Sequence, residues 1–251
     1  MLKKMELIFS TFFLIRDAYF GKTKLKFAGI ASNTSEHKCF QEDGIYEKAM
    51  AVRFKEDAKD SKIFFDIGGN IGNYSVLYRK VSNGECYCWE PVFHFRLIHF
   101  FNQLLNNRNL KNFFLSKKFI GAEQKIGVDN QLTFCNKKKI FPDLMKLDVE
   151  GAVSKILPSL NEKFFSKVTL YLEFHVAQIK NDFDENPFHL LNFIFSKFNS
   201  IEFNRNHWGS FKGMPSGKWE KKSQEKISII IKDILNNKSQ PRGFGLILKN
   251  I

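Results

Sequence analysis

The sequence predicts an α/β fold, a mainly parallel sheet with helices on both faces. Three observations carry that prediction. From Lys62 onward, short apolar runs alternate with amphipathic stretches, the order produced when crossover helices join parallel strands. The run "KIFFDI" is apolar almost throughout, as a strand buried on both faces requires. It leads directly into "GGNIG", a hinge whose glycines permit a turn or a close backbone approach before the next helix.

The elements follow in order. "MLKKMELIFSTFFLIRDAYF" reads as an amphipathic helix. Two lysines precede its apolar stretch, but Glu6 interrupts it, Arg16 and Asp17 end it, and no small-residue cleavage site follows, so it does not read as a signal peptide. It is too short to span a bilayer, and we expect it to pack on the domain rather than rest on a membrane. A polar irregular stretch follows, then a helix around "GIYEKAMAVRFKE". Residues 1–60 are thus expected to form a helical extension, and residues 61–251 the α/β domain.

Within that domain "KIFFDI", "GECYCWE", "NFFLSKKFIG", "PDLMKLDV", "KVTLYLEFH", "SIEFNRN" and "GFGLILKN" read as strands. "NYSVLYRKVS" and "ENPFHLLNFIFSKF" read as helices, the second with Pro187 in its first turn, where proline is tolerated. "AVSKILPSL" reads as a short helix. In "VFHFRLIHFFNQLLNN" the residues Leu97, Phe101, Leu104 and Leu105 share one side, the kind of stripe that faces a core. "KSQEKISIIIKDILNN" can serve as a last crossover, and an antiparallel final strand is equally allowed. "HWGSFKGMPSGKWEKK", 207–222, reads as a loop or lid.

Composition bounds the partners. A hydrophobic share of 43% and a charged share of 26% over 251 residues suit a soluble globular domain. The 29 phenylalanines share A/T-rich codons with Lys, Asn and Ile, so coding bias accounts for much of the excess. A net charge of +13 draws the chain toward nucleic acid, an anionic membrane surface or an acidic glycan. The basic residues are scattered, with no aromatic-interleaved RNA-binding module, which disfavours nucleic acid. Cys39, Cys86, Cys88 and Cys135 form no CxxC pair and no zinc spacing. Reduced thiols in a cytoplasmic protein are the expectation.

The hinge carries the first chemical signal. Gly68 and Gly72 are four apart, without the three-residue step of the dinucleotide motif. Asp66 at the strand end would repel a pyrophosphate, whereas a cation suits it. S-adenosylmethionine, with a sulfonium and an ammonium, fits. Glu90 closes the second strand, where an acid can accept hydrogen bonds from both ribose hydroxyls. It also precedes a helix start at Pro91, where acids are favoured anyway. The third signal is "MKLDVEGA": Asp148 and Glu150 end the fourth strand, and Gly151 is read as the residue that lets the chain turn sharply. Solvated helix-cap acids are the alternative there.

Together "FFDIGGNIGNYSVL", "CWEPVFHFRLIHFFNQLLNN", "PDLMKLDVEGAVSKIL" and "LYLEFH" resemble FkbM-type S-adenosylmethionine-dependent methyltransferases, over roughly residues 62 to 176. The resemblance implies a seven-stranded Rossmann-like class I methyltransferase fold and methyl transfer, usually to an oxygen of a sugar or small natural product. It implies that Asp66, Gly68, Gly69, Asn70 and Gly72 line the methionine end of the cofactor. Glu90 would hold the ribose, and Asp148 would lie next to the reacting methyl. Gly69 stands where the family has alanine, a change expected to be sterically harmless. Of the family's N-x-A-L-G after the third strand, "KKFIG" keeps Gly121 and an apolar Ile120, which puts the adenine contact in doubt. The segment from Gly121 to Pro142 is short, so the acceptor pocket is expected to be either abbreviated or completed by residues 205–222.

A sugar hydroxyl is a poor nucleophile and gains from a base within hydrogen-bond reach. His175 is the first candidate, then Glu173 or Asp148. Asp148 and Glu150 could instead hold a divalent cation, but two carboxylates do not establish a metal. The expectation is an O-methyltransferase acting on a glycan or glycolipid precursor (capsule or lipopolysaccharide), cytoplasmic or peripheral to the inner membrane. An RNA methyltransferase and a non-catalytic interaction protein on the same fold are the alternatives.

Overall fold

The computed structural model describes residues 14–20, 22–29, 47–107, 109–121, 128–160, 162–206, 217–237 and 242–250. The described residues through Lys117 form one compact unit and those from Lys118 another. All seven strands read from the sequence form, and the α/β class holds.

The first unit opens with β1 (Leu14–Phe20) and β2 (Thr23–Gly29), an antiparallel hairpin. This corrects the helix expected over residues 14–20. Asp17 and Tyr19 face water while Ala18 and Phe20 are buried, a period of two that only a strand gives. Across the turn Leu25 and Phe27 repeat it. Helix α1 (Lys48–Ala58) buries Met50, Ala51 and Phe54, as expected. It packs on α2 (Asn73–Val81).

Strands β3 (Ile63–Ile67), β4 (Glu85–Trp89) and β5 (Phe113–Ser116) are parallel neighbours in that order. Helix α2 joins the first pair and α3 (Phe93–Asn106) the second. Two successive βαβ steps make a Rossmann-like half-sheet, whose ligand crevice lies beyond the strands' carboxyl ends. The expected third strand breaks after Ser116, and Phe119–Gly121 forms a separate strand, β6.

Helix α3 departs from expectation. Its buried residues are Ile98, His99, Asn102 and Gln103, while Leu97 is 42% exposed and Phe101, Leu104 and Leu105 are half-buried. The inner face is polar because it meets the backbone edge of β2. Lys26 N–H donates to Asn106 Oδ1 and Asn106 Nδ2 donates back to Lys26 O, both at 2.7 Å. Asn102 does the same for Ala28, at 2.7 and 3.2 Å. Four helical residues rise about 6 Å and two strand residues about 6.6 Å, so the two carboxamides match the edge of β2 as a neighbouring strand would. Each such bond contributes about 1 kcal/mol net, and leaving the buried groups unpaired would cost more.

In the second unit β6 pairs with β7 (Val128–Asn130), followed by α4 (Gln131–Lys138). Strand β8 (Leu144–Leu147) lies parallel to β9 (Thr169–Phe174). Between them run a 3-10 turn (Glu150–Ala152), α5 (Val153–Ile156) and α6 (Glu162–Phe165). After β9 come α7 (Val176–Asn181), α8 (Pro187–Lys197), β10 (Ser200–Asn204), β11 (Glu220–Lys221), α9 (Gln224–Asn237) and β12 (Phe244–Lys249). Asn186 caps α8, its Oδ1 accepting from Phe188 N–H at 3.0 Å. Strand β12 inserts antiparallel between β9 and β10, with Phe174 stacked on Phe244 at 4.8 Å. The final strand therefore takes the antiparallel option. Residues 207–216 of the expected lid lie outside the described residues.

Candidate active site

The glycine hinge has the shape its sequence asks for. Gly68, Asn70 and Gly72 take positive φ, at 82°, 46° and 93°, a region that glycine enters freely and asparagine more readily than most residues. The β3–β4 ladder runs on into the turn: Gly68 and Gly69 N–H both donate to Trp89 O, at 3.0 and 3.2 Å. Gly72 N–H then donates to Gly69 O at 2.8 Å, and Val76 N–H to Gly72 O at 2.9 Å as the helix begins.

Gly69 is another matter. A methyl group there would meet Cys88 Sγ at 2.2 Å and His99 Cε1 at 3.2 Å. The glycine is therefore not a neutral stand-in for alanine, because Cys88 fills the space that alanine would use. Gly72 is pressed by the same ring, 2.3 Å from where its Cβ would stand to His99 Cδ2.

Asp66 and Glu90 end adjacent parallel strands, and both carboxylates are buried. Glu90 clasps the hinge: Oε2 accepts from Asn70 N–H and Oε1 from Val92 N–H, each at 2.8 Å. Burial pushes its carboxyl up, against the pull of those two amides and of Arg96. The helix-start reading of Glu90 is thus realised in its bond to Val92. Each carboxylate oxygen keeps a second lone pair with which it can accept a further hydrogen bond. Burial, then Asp66, holds the Cys86 and Cys88 thiols well above the usual range.

Sequence reasoning gave His99 no role. The structure places it fully buried under the hinge. Its Nε2 lies 2.5 Å from Ser75 Oγ and its Nδ1 3.6 Å from Cys88 Sγ. Gln103 Nε2 donates to the same Ser75 Oγ at 3.2 Å. Asn102 Nδ2 donates to Ile71 O at 2.8 Å. Burial drives the His99 pKa down to about 3, against a hydrogen bond to the Asn70 backbone. The ring is neutral at any ordinary pH.

The second unit holds a denser cluster at the ends of β8 and β9. His175 Nε2 lies 3.0 Å from Asp148 Oδ1 and 3.5 Å from Glu173 Oε2, and its Nδ1 lies 3.4 Å from Glu150 Oε2. Lys146, which sequence reasoning missed, donates to Glu173 Oε1 at 2.7 Å and lies 3.3 Å from Asp148 Oδ2. Lys146 and Glu173 are both buried. A lysine in the middle of the apolar run "LMKL" was the available signal, since an ammonium is almost never buried without a partner. Desolvation lowers the His175 pKa, but the hydrogen bond to Asp148 and the charges of Asp148, Glu173 and Glu150 outweigh it, and the value rises to about 9.

Asp148, Glu173 and His175 each offer a ligand atom within 4.8 Å of the others, so the set a cation could use differs from the Asp148–Glu150 pair. The Lys146 ammonium already faces two of those carboxylates. The sharp turn is also borne differently from expectation. Glu150 takes the positive φ, at 53°, while Gly151 is needed because a Cβ would come within 2.7 Å of the Gln178 backbone. Gly121 ends β6 opposite Asn130. Among the described residues no helix is long and apolar enough to cross a membrane.

No protein-family model matches the chain, and no curated protein matches it in sequence. Solved structures with a similar chain path include an O-methyltransferase from Bacillus cereus in complex with SAH, at 10% identity and TM-score 0.47, covering 87% of this chain and 84% of that one. A precorrin-6y C5,15-methyltransferase from Geobacter metallireducens has 11% identity and TM-score 0.47, over 80% and 86%. A SAM-dependent methyltransferase from Agrobacterium tumefaciens has 10% identity and TM-score 0.47 over 64% of this chain, which spans about half (52%) of its length.

Proposed function

We propose that the protein is an S-adenosylmethionine-dependent O-methyltransferase of FkbM type, acting on a hydroxyl of a glycan or glycolipid precursor. The observation that carries the reading is the hinge: three positive-φ residues between two buried carboxylates, with Glu90 holding the Asn70 amide at 2.8 Å. That geometry suits a ligand with a cationic end and a ribose. Asp66, Gly68, Gly69, Asn70 and Gly72 would face the cationic end and Glu90 the ribose hydroxyls.

When bound, the cofactor supplies an electrophilic methyl on a sulfonium. This chain's residues orient the acceptor for in-line attack, and positioning supplies much of the acceleration. The acceptor's proton passes to His175, with Asp148 and Glu173 fixing its ring. His175 must be neutral to accept it, and its carboxylates keep it protonated up to about pH 9. Turnover therefore rises with pH toward 9 and levels off beyond.

Calorimetry with S-adenosylhomocysteine tests the donor site. Asp66→Ala and Glu90→Gln should abolish binding while the circular dichroism is unchanged; unaltered binding in both removes the reading. Comparing glycan masses with and without the gene then identifies the acceptor through one missing methyl. The net charge of +13 supports a second reading, RNA methylation, which predicts a steep fall of RNA affinity with salt.

A further inference from the structure

Helix α3 is built inside out. Its polar residues face inward, while Phe93, Leu97 and Phe100 stand 69%, 42% and 40% exposed. Steps of four and three put these side chains on one helix face. Leu110, Phe113 and Leu115 continue the apolar surface, and together with α3 they line a groove of about 400 Å³. Apolar clusters of this kind on a water-facing surface mark interaction sites.

We propose that this face docks on an anionic phospholipid bilayer, with Phe93, Leu97 and Phe100 seated at the boundary between headgroups and acyl chains. Among the described residues Arg96 is the one charged side chain in the lining. Its Nη1 donates to Glu90 O and Pro91 O, both at 2.9 Å, and its guanidinium lies 5.7 Å from the Phe93 ring centre. A fixed cation beside an exposed aromatic presents one group to a lipid phosphate and the other to the apolar boundary. The +13 charge of the chain adds attraction to an anionic leaflet. The same charge makes a second copy repel, which disfavours self-association through this face. Single-stranded nucleic acid would want a basic groove with ring faces for successive bases, whereas Leu97, Leu110 and Leu115 offer aliphatic surface. The proposal does not depend on the methyltransferase reading.

The test is co-sedimentation of the full chain with phosphatidylcholine vesicles, with and without phosphatidylglycerol. The chain should pellet with the anionic vesicles, and Leu97→Ser with Phe100→Ser should cut the bound fraction roughly tenfold without changing net charge. Hydroxyl-radical footprinting of the wild-type chain needs no variant: vesicles should suppress oxidation of Phe93 and Phe100. The proposal is overturned by an absence of pelleting, or by equal pelleting of the double variant. It is also overturned if wild type forms a dimer that the substitutions dissociate, or if RNA rather than lipid protects the two rings.

Discussion

His99 in the first unit and His175 in the second are both largely withdrawn from water, and their pKa values move in opposite directions, to about 3 and about 9. Burial lowers both. His99 faces Ser75, Gln103 and Cys88, neutral groups that give its charged form little. His175 faces Asp148, Glu173 and Glu150. What meets the ring, more than its depth, decides its charge. One unit uses a histidine as a polar packing piece beneath a backbone turn, and the other uses one as a held cation.

The largest consequence concerns acid. His99 has its folded pKa below the unfolded value near 6.5, so the unfolded chain binds the extra proton and stability falls as pH drops below 6.5. The loss approaches roughly 5 kcal/mol by pH 3. His99→Gln keeps a polar partner for Ser75 and should flatten that slope in urea unfolding at successive pH values. An unchanged slope would mean that the ring is already charged in the folded protein.

His175 gives the opposite sign. Its folded pKa is raised, so its contribution is fully present below about 6.5 and fades as pH rises through 9. Wild type should exceed His175→Gln by roughly 3 kcal/mol on the acid side, with the gap closing above pH 9. Proton NMR of the ring checks the same value directly. A midpoint near 6.5 would erase the contrast between the two sites.

A smaller effect probes the packing over His99. Gly69→Ala drives a methyl into Cys88 Sγ and should cost about 2 kcal/mol, as overpacking does. Adding Cys88→Ala should recover most of it. If the pair behaves additively, the two residues do not share the space as described.

Much of the architecture was legible because it rests on local pattern. Continuous apolar runs locate β3, β8 and β9, and the hinge glycines signal a turn, which Gly68 and Gly72 make at positive φ; Asn70 joins them there without a glycine's signal. The hairpin was missed although "DAYFGKTKLKF" alternates around a Gly-containing turn, a hairpin signal; a run of apolar residues before it suggested a helix instead. The orientation of α3 could not be read. Leu97, Phe101, Leu104 and Leu105 look like a core face, and only the edge of β2 beside the helix, with its backbone donors and acceptors, makes Asn102 and Asn106 the better inward residues. The strand ends point to His175 and Asp148, whereas Lys146 shows in the sequence only as a lysine inside an apolar run, and its partners Glu173 and Asp148 come from the pairing of β8 with β9.

Asn102 serves two masters at once, the main chain at Ala28 and the main chain at Ile71. Tyr74, in the helix that follows the hinge, likewise hydrogen-bonds Glu47. The stretch before residue 61 is therefore stitched to the glycine hinge and to the helix that follows it. A shortened chain starting at residue 61 would leave those carboxamides and that phenol facing water, and its glycine turn would lose the anchorage that shapes it. Trimming the first 60 residues would discard the contacts that hold the hinge in place.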